Sequence, residues 1–403
     1  MFFDDKHELK IFNREYVQNC GAGISKRRVI LRPTVAEIDL SAIACNINKI
    51  KKHVYPAQVM AVVKADGYGH GAIACAKTAI ENGASYLGVA LLEEGIELRN
   101  NGILDPVLVF GGAFENQLSD FFKYKLDVTV YTEEIAHALA KIARERKEKI
   151  NVQIKIDTGM GRVGVAHDKA VSFIELVLQL EGIHLKGIYT HFATSDEANK
   201  DYAKLQFSRF EKILAEVERK NITIPLKHAA NSGAILDLPE TYLDMVRAGV
   251  MMYGHFPSRE TSESVDIQPA MTLKSRIAFI KSVPAGTSVS YGRKFTTSKK
   301  TRIATIPMGY ADGYNRLLTN RGMVTIHGKR YPVVGRVCMD LILIDLGDDE
   351  HIRVNDEVIL FGGKENDNFT VAEICEIVDS IPYEVTCWIS KRVPRIYKII
   401  DGD

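Results

Sequence analysis

The sequence has little that would direct it to a membrane or a nucleic acid. Its apolar runs stay far short of the ~20 residues that a membrane-spanning helix needs, and Met1–Lys10 mixes charged with apolar side chains instead of forming a signal-peptide core. The 52 basic and 51 acidic side chains leave a net charge of +1, which gives no attraction to nucleic acids or anionic membranes. We therefore expect a cytoplasmic protein with neither of these partners.

Cysteine is also scarce, and its spacing gives no sign of metal binding. The six cysteines are spread from Cys20 to Cys387 without a CxxC pair. This argues against a zinc site and a disulfide framework, and it favours reduced thiols in a cytoplasm. Low-complexity segments and internal repeats are absent as well, so we expect a globular protein without a metal centre.

What the sequence does contain is a series of apolar runs that alternate with amphipathic helical stretches. About eight such units follow Thr34 at intervals of roughly 20 to 35 residues, a pattern typical of a (β/α)₈ TIM-type barrel, with a doubly wound open sheet as the alternative. A barrel carries its chemistry at the carboxyl ends of its strands. The predicted barrel strands are Val59–Val63, Tyr86–Leu91, Val107–Phe110, Val128–Tyr131, Val152–Ile156, Leu185–Thr190, Leu226–Ala229 and Met245–Met252.

The pattern changes after about Asp266, where short strand patterns follow one another without long helices between them. Near the end, Thr370-Val-Ala-Glu373 predicts a capping box that starts a short helix. We therefore divide the chain into an arm with an edge strand at Val29–Leu31 (residues 1–32), the barrel (33–265) and a mostly-β C-terminal domain (266–403). The predicted strands of the last domain are Ser275–Val283, Thr301–Pro307, Met323–Ile326, Tyr331–Val337, Leu341–Leu346 and Glu357–Phe361.

The most informative stretch is Ala61-Val-Val-Lys-Ala-Asp-Gly-Tyr-Gly-His-Gly71, in which an apolar strand ends on Lys64. Burial lowers the pKa of a lysine, and the neutral amine is the form that makes a Schiff base with an aldehyde cofactor. The glycines Gly67, Gly69 and Gly71 leave backbone N–H groups open to a phosphate. Taken alone, the stretch is more often a strand-end lysine that reaches solvent beside an ordinary turn.

Other polar residues also follow predicted strands. Gly159-Met-Gly-Arg-Val-Gly164 fits the GxGxxG pattern of dinucleotide binding, but it lies in the middle of the strand–helix series. We favour a tight turn that aims Arg162 into the barrel mouth, where a guanidinium would bind a carboxylate or phenolate oxygen. His191, Asn231-Ser232 and Arg247 hold comparable positions, and each of them alone has an ordinary structural explanation.

Together and in order, these segments resemble the alanine racemase family, the fold-type III pyridoxal-phosphate enzymes with a barrel and a C-terminal β domain. The resemblance runs unbroken from about Arg32 to Lys398, and the arm before it is longer than the family usually carries. The matching segments are Arg32-Pro-Thr-Val-Ala-Glu-Ile-Asp-Leu40, Ala61-Val-Val-Lys-Ala-Asp-Gly-Tyr-Gly-His70, Lys155-Ile-Asp-Thr-Gly-Met-Gly-Arg162, His228-Ala-Ala-Asn-Ser232, Arg247-Ala-Gly249, Ser290-Tyr-Gly292, Gly309-Tyr-Ala-Asp-Gly313, Gly335-Arg-Val-Cys-Met-Asp340 and Tyr383-Glu-Val-Thr-Cys387.

The resemblance implies a racemase that uses pyridoxal 5'-phosphate to interconvert L- and D-alanine, supplying D-alanine for peptidoglycan. Lys64 would hold the cofactor and act as one catalytic base, and Tyr291 of the partner subunit would be the base on the opposite face. Arg247 would face the pyridine nitrogen, and Arg162 would contact the phenolate oxygen and the substrate carboxylate. The implied cofactor-binding residues are Lys64, Tyr68, Arg162, His191, Asn231, Ser232, Arg247, Gly249, Val250 and Tyr383, and the implied substrate-binding residues are Arg162, Tyr310, Met339 and Asp340.

The resemblance further implies a homodimer with composite active sites. Lys155 matches a position that is carbamylated in many family members. Two alternatives stay open at this point, namely a racemase of serine or another amino acid, and a non-catalytic carrier of pyridoxal phosphate. The carrier typically lacks the β domain. A barrel decarboxylase would pair the pyridine nitrogen with a carboxylate instead of Arg247.

Overall fold

The computed structural model describes residues 32–363 and 368–399, and its larger part is a barrel of parallel strands. Eight strands lie side by side around the ring, and a short additional strand, Val165–Ala166, pairs with one of them. Between the two end strands, the N–H of Asp244 donates to the carbonyl of Lys227 at 3.1 Å and nearly closes the ring. The predicted (β/α)₈ barrel is confirmed. Its strands are Gln58–Val62, Tyr86–Val89, Val107–Val109, Asp127–Val130, Ile150–Asp157, Ile183–Tyr189, Leu226–His228 and Met245–Ala248.

Helices cover the outside of the barrel because each presents one apolar face to it. The longest described helix, Asp201–Arg219, buries Phe207, Phe210 and Ile213 at helical spacing while its charged residues face away. No helix in the described ranges combines the length and the apolar character needed to cross a bilayer. The barrel helices are Leu40–His53, Ala72–Glu81, Leu92–Asn100, Leu118–Lys123, Glu133–Arg146, Ala170–Gln179, Asp201–Arg219 and Ser232–Asp237.

The second part of the chain forms separate small sheets, as the mostly-β prediction requires. One six-stranded sheet also takes in Val35–Asp39, which pairs antiparallel with Met271–Arg276 and parallel with Arg395–Lys398. We predicted these residues within the barrel range 33–265, and their hydrogen-bond partners lie in the C-terminal part. The remaining strands are Phe279–Val283, Ser288–Val289, Phe295–Thr296, Thr301–Ile306, Met323–Ile326, Lys329–Pro332, Ile342–Gly347 and Glu357–Gly362, and the helices are Val371–Val378 and Pro382–Trp388.

Two predicted strands are divided in the structure. The range Ser275–Val283 covers parts of two strands in different sheets, separated at Ile277-Ala278. The last barrel strand ends at Ala248, since Gly249 turns the chain into a 3₁₀ helix at Val250–Tyr253. The predicted capping box is present, with the Thr370 hydroxyl accepting from the N–H of Glu373 at 3.1 Å. The predicted arm up to residue 31, with the strand Val29–Leu31, lies outside the described residues.

A turn of left-handed backbone follows the first barrel strand. Ala65, Asp66 and Tyr68 have φ between 52° and 53°, and Gly67 has φ 61°, a conformation that costs ~1–2 kcal/mol for each residue with a side chain. Hydrogen bonds hold it in place, because the Glu94 carboxylate accepts from the N–H of Ala65 at 2.6 Å and the Asp66 carboxylate accepts from that of Ala72 at 2.9 Å. The turn therefore fixes the direction in which Lys64 leaves its strand.

The C-terminal domain packs directly against this turn at Gly69. The Arg395 guanidinium donates to the carbonyl of Gly69 at 2.9 Å. Gly69 has φ 81°, and a Cβ added there would collide with the Thr386 carbonyl oxygen. Residues of the C-terminal domain thus contact the turn that follows Lys64 in the barrel domain.

We expect Gly69→Ala to destabilise the protein by at least ~3 kcal/mol, because it adds a backbone collision to left-handed strain. Gly102→Ala is the matched control, since Gly102 has φ 78° and nothing lies within 4 Å of its added Cβ. The control isolates the strain and should cost only ~1–2 kcal/mol. Denaturant unfolding of both variants measures the difference. Equal decreases in the free energy of unfolding would mean that the backbone around Gly69 moves to accept the added Cβ at no cost in stability.

Candidate active site

A cavity at the carboxyl ends of the barrel strands brings together most of the residues that the sequence singled out. The lining includes side chains from at least six strand ends and from the helix Pro382–Trp388 of the second domain. This is the location that a (β/α)₈ barrel uses for chemistry. The predicted residues that line it are Lys64, Tyr68, Lys155, Arg162, His191, Asn231, Ser232, Arg247, Gly249 and Tyr383, and Val62, Phe110, Val163 and Tyr189 complete the lining.

Lys64 lies in the cavity at the end of strand Gln58–Val62. Burial lowers the pKa of its ammonium group, and the guanidinium of Arg162 lowers it further. Its Nζ lies 6.0 Å from the centre of the Tyr68 ring. A lysine with a lowered pKa presents a larger share of free amine at neutral pH, which suits it to attack an aldehyde and to carry a proton.

Arg247 is the charged centre of the cavity floor and is only 4% exposed. Its Nη2 donates to the carbonyl of Ala229 at 2.7 Å and to that of Thr190 at 2.8 Å. Its Nη1 donates to Nδ1 of His228 at 2.9 Å, and Nη2 also faces Nδ1 of His191 at 3.2 Å. Because arginine can only donate, both histidines accept through Nδ1.

The charge states on this floor follow from burial. Burial lowers the pKa of Arg247 to about 10, so the guanidinium stays protonated at neutral pH. Burial and the neighbouring Arg247 lower the pKa of His191 and of His228 well below the ordinary histidine value. Both rings are therefore neutral, and the floor carries a single cation with N–H groups to spare.

The opposite end of the cavity is built to hold an anion. Ser232 begins the helix Ser232–Asp237 behind the N-cap Asn231, and its Oγ accepts from the N–H of Gly249 at 3.2 Å. A Cβ on Gly249 would lie 3.1 Å from the Tyr68 hydroxyl and 3.5 Å from Ser232 Oγ, so the glycine leaves a space ringed by donors. Val250, which is 1% exposed, starts the 3₁₀ helix that follows.

Two buried tyrosines complete this donor set. The Tyr68 ring lies 5.9 Å from that of Tyr383, centre to centre. Burial raises the pKa of both Tyr68 and Tyr383, so both hydroxyls remain protonated and can donate. Backbone N–H groups at helix starts and tyrosine hydroxyls together are typical of a phosphate site.

Arg162 is carried to the cavity mouth by a glycine turn. The Asp157 carboxylate accepts from the N–H of Gly159 at 2.9 Å and from that of Gly161 at 3.0 Å, and these bonds hold the pKa of Asp157 below its usual value against the opposing effect of burial. The Tyr202 hydroxyl donates to the carbonyl of Gly159 at 2.8 Å. This GxGxxG sequence therefore makes a loop that presents an arginine, as we predicted.

Lys155 lines the same cavity as Arg162 and is 2% exposed. Its Nζ donates to the carbonyl of Ile156 at 2.8 Å and lies 5.6 Å from the centre of the Tyr189 ring. Burial and the cations Arg247 and Arg162 lower its pKa to about 7. A large share of this amine is uncharged at neutral pH.

The remaining predicted residues do not line the cavity of their own chain. Tyr291 is 70% exposed, Met339 53% and Tyr310 43%. Asp340 instead accepts from the Arg392 guanidinium at 2.7 Å. The structure thus gathers these four residues on the surface of the second domain, apart from Lys64.

The backbone presents Tyr291 to solvent in a strained conformation. Ser290 has φ 63° and ψ −177°, a region that residues other than glycine rarely occupy. Its hydroxyl donates to the carbonyl of Arg336 at 2.7 Å and faces the Cys338 sulfur at 3.5 Å. The segments Ser290–Tyr291 and Arg336–Met339 therefore form one exposed patch, which Tyr310 joins because its N–H donates to the carbonyl of Cys338 at 3.0 Å.

Sequence reasoning missed several residues around Arg247. The Tyr189 ring stacks on that of His228 with centres 4.8 Å apart and planes 5° from parallel, and Arg247 Cζ lies 5.5 Å from the Tyr189 centre. Tyr189 and His228 both fall in or beside predicted strands, and His228 belongs to a matching segment. The only available signal was that two aromatic, hydrogen-bonding residues end neighbouring strands.

The residues present fit pyridoxal phosphate. The cavity has a lysine for the aldehyde, a donor-ringed glycine space for the phosphate, and the Nε and second Nη1 hydrogens of Arg247, for which no described residue supplies an acceptor. Phe110 and Tyr189 give it apolar walls.

Comparisons with known proteins agree with this assignment. The chain matches the family model "Alanine racemase, N-terminal domain" over residues 38–257 and "Alanine racemase, C-terminal domain" over residues 270–397. It is 47% identical over 369 residues to alanine racemase 2 of Caldanaerobacter subterraneus subsp. tengcongensis, covering 91% of this chain and 95% of that protein.

Solved structures show the same fold. The alanine racemase of Clostridium difficile has a TM-score of 0.88 at 42% identity, with 93% of this chain and 98% of that chain covered. The alanine racemase of Bartonella henselae, whose structure contains covalently bound pyridoxal phosphate, has a TM-score of 0.82 at 26% identity, with 91% and 99% covered. The likeness therefore extends over both domains.

Proposed function

Because this chain belongs to the alanine racemase family, we propose that it is an isomerase that interconverts L- and D-alanine with pyridoxal phosphate, by two-base proton transfer at Cα. The observation that carries this proposal is the single cavity that holds Lys64, Arg247 and the Ser232–Gly249 anion space. The cofactor, when bound, supplies an electron sink for the bond broken at Cα. All other tasks fall to residues of the protein.

Lys64 would bind the cofactor aldehyde and, once the substrate amine has displaced it, move the Cα proton on its own face. Racemisation needs a second base, because protonation from one face alone returns the original enantiomer. Tyr68 and Tyr383 line the cavity but belong to its anion end. Tyr189, the third tyrosine of the described lining, is 3% exposed, and its hydroxyl is hydrogen-bonded within the barrel. We assign the second base to Tyr291 of the partner subunit.

Arg247 would face the pyridine nitrogen with an N–H donor. Since its pKa of about 10 keeps it protonated, it donates a hydrogen bond without handing over the proton. An Arg247 that keeps its proton would leave the cofactor a weaker electron sink, which would favour brief charge at Cα over side reactions such as transamination. The phosphate would be held by Ser232, Gly249, Val250, Tyr68 and Tyr383, with Asn231 supporting this set as the helix N-cap. His191 would lie at the cofactor's other end, beside Arg247.

We further propose a homodimer in which each active site is shared. The patch around Tyr291 exposes Met339, Tyr310 and Leu341. Such a cluster of exposed apolar side chains suits burial against a second copy. The partner's Tyr291 and the Met339 N–H would then complete the mouth formed by Arg162, with Tyr310 and Asp340 at its rim. In such a dimer, the Tyr291 patch of each copy would contact the cavity mouth of the other copy.

The substrate proposal is alanine. Tyr383, with Tyr310 of the second copy, would narrow the entrance against long side chains. A pocket of this kind discriminates poorly between a methyl and a hydroxymethyl group, so weak turnover of serine is expected. We place the enzyme in the cytoplasm as a source of D-alanine for peptidoglycan, in keeping with the free thiols of the five cysteines that the structure describes.

Deuterium exchange at Cα tests the reaction. We expect the cofactor-loaded protein to exchange the Cα hydrogen of L-alanine in D₂O and to form D-alanine, followed by NMR and chiral analysis. Exchange without D-alanine would show that Lys64 works without an opposite base. Absence of exchange with the cofactor bound would contradict alanine as the substrate and direct the search to serine, and then to a carrier function.

We also expect Lys155 to be carbamylated, with the new carboxylate paired to Arg162. Its pKa of about 7 leaves enough neutral amine to add CO₂, so at fixed dissolved CO₂ the modified fraction should grow as the pH rises through about 7. With ¹³C-bicarbonate, NMR should show a carbamate carbon in the wild type and none in Lys155→Met. The variant should also have a severalfold higher KM for alanine. An unchanged carbamate signal in that variant would contradict the assignment.

A further inference from the structure

A chain of hydrogen bonds crosses the barrel interior from Arg247 to a carboxylate at the far end of the barrel. Arg247 donates to His228 at 2.9 Å, and His228 Nε2 lies 2.8 Å from Gln153 Oε1. Gln153 Nε2 donates to the Tyr86 hydroxyl at 3.1 Å, and that hydroxyl donates to Asp127. All five side chains lie at or below 4% exposure. Of these five residues, Arg247 alone lines the cavity described above.

The two ends of this relay fix the direction of every bond in it. Arginine has no acceptor, and an ionised carboxylate has no donor. His228 must therefore accept through Nδ1 and donate through Nε2 to Gln153 Oε1. The amide then has only Nε2 left for Tyr86, whose own hydrogen goes to Asp127. Each of the three middle groups has two possible orientations, and the two ends select one.

The far end is itself well anchored. The Asn151 amide donates to Asp127 Oδ1 at 3.0 Å, and Lys186 Nζ lies 3.4 Å from Oδ2. Burial and the adjacent carboxylate raise the pKa of Tyr86, so its hydroxyl keeps the hydrogen that it donates. Aligned bonds in a low-dielectric interior also polarise one another, which strengthens the bond at Arg247.

We propose that Asp127, Tyr86 and Gln153 are positioning residues that hold His228 in its Nε2–H tautomer and thereby hold the Arg247 guanidinium in place. The importance of Arg247 for the reaction rests on the proposed function. The tautomer argument stands on the hydrogen bonds alone. Without the Tyr86 hydroxyl, the Gln153 amide can rotate and present Nε2 to the ring. His228 then takes its hydrogen on Nδ1 and faces Arg247 with a second donor.

Tyr86→Phe tests this relay in the holoenzyme. Histidine-selective ¹⁵N labelling, with the His228 signals assigned through His228→Gln, should show the Nε2–H tautomer in the wild type and a substantial Nδ1–H population in Tyr86→Phe. We expect kcat for alanine to fall about tenfold with little change in KM, the effect of weakening one hydrogen bond to a charged group. Thr129→Val is the matched control, since it removes a buried hydroxyl 2.9 Å from the Tyr189 hydroxyl outside the relay, and it should leave the tautomer unchanged.

Rescue separates orientation from general loss of packing. In Tyr86→Phe, the further change Gln153→Glu offers His228 only acceptor oxygens, so the Nε2–H tautomer and most of kcat should return. The proposal is overturned if Tyr86→Phe keeps the wild-type tautomer, if the tautomer changes without loss of kcat, or if the double variant fails to restore the tautomer. A wild type that does not racemise alanine would refute the proposed function instead, while the ¹⁵N signals would still decide the relay.

Discussion

We expect Lys64→Ala to lose racemase activity by at least ~10⁴-fold, because it removes both the amine that binds the cofactor and one of the two bases. The visible absorbance band of the lysine Schiff base should disappear at the same time. Cofactor retained through the anion site alone would absorb as free aldehyde. Absorbance spectroscopy together with a coupled alanine assay measures both effects.

Lys155→Met is the matched control for this loss. Lys155 and Lys64 are the two lysines among the described residues that line the cavity, and burial lowers the pKa of both. Either amine could in principle react with an aldehyde. The Lys155 variant should keep the Schiff-base band, because it leaves Lys64 and the anion space unchanged. A band that persists in Lys64→Ala and vanishes in Lys155→Met would reverse the assignment.

The position of Lys64 was predictable because its signal is local. A continuous apolar run reads as a buried strand, and the predicted Val59–Val63 differs by one residue at each end from the observed Gln58–Val62. Parallel strands connected by helices bring their carboxyl ends to one face. Polar residues after successive runs, such as His191 and Arg247, therefore had to converge, and the cavity lining confirms that they do.

What the sequence did not reveal depends on pairing across long distances. Val35–Asp39 has an alternating pattern that suits any half-buried sheet, and its partners lie more than two hundred residues further along the chain. The relay was equally hidden, since Tyr86, Asp127 and Gln153 occur in predicted or adjoining strand positions where a polar residue usually faces water. Only the burial of these side chains and the hydrogen bonds between them show that they point inward and meet.

Tyr291 poses a different problem, because its proposed role needs a second chain. We expect Tyr291→Phe to lower racemisation by ~10²–10⁴-fold, the usual contribution of one acid–base group, while the cofactor stays bound. The substitution removes only the hydroxyl group, and Tyr291 is 70% exposed within one chain. The fold should therefore be unaffected. A near-normal rate would remove Tyr291 from the reaction.

Mixing the two inactive variants tests the shared site directly. If each site joins Lys64 of one chain to Tyr291 of the other, a heterodimer of Lys64→Ala with Tyr291→Phe has one site with both defects and one that is intact. Random pairing makes about half of the dimers heterodimers, so about a quarter of wild-type activity should return. Refolding or co-expression with two affinity tags provides the mixed dimers.

The activity of the mixed dimers distinguishes active sites that are shared between two chains from active sites that lie within one chain. Sites contained within one chain would each carry one of the two defects, and mixing would restore nothing even with heterodimers confirmed by the tags. Recovery would show that the strained Ser290 backbone presents Tyr291 for use in the neighbouring subunit. The exposure of Tyr291 would then follow from its function, because a base that enters the cavity of another chain must lie on the surface of its own chain.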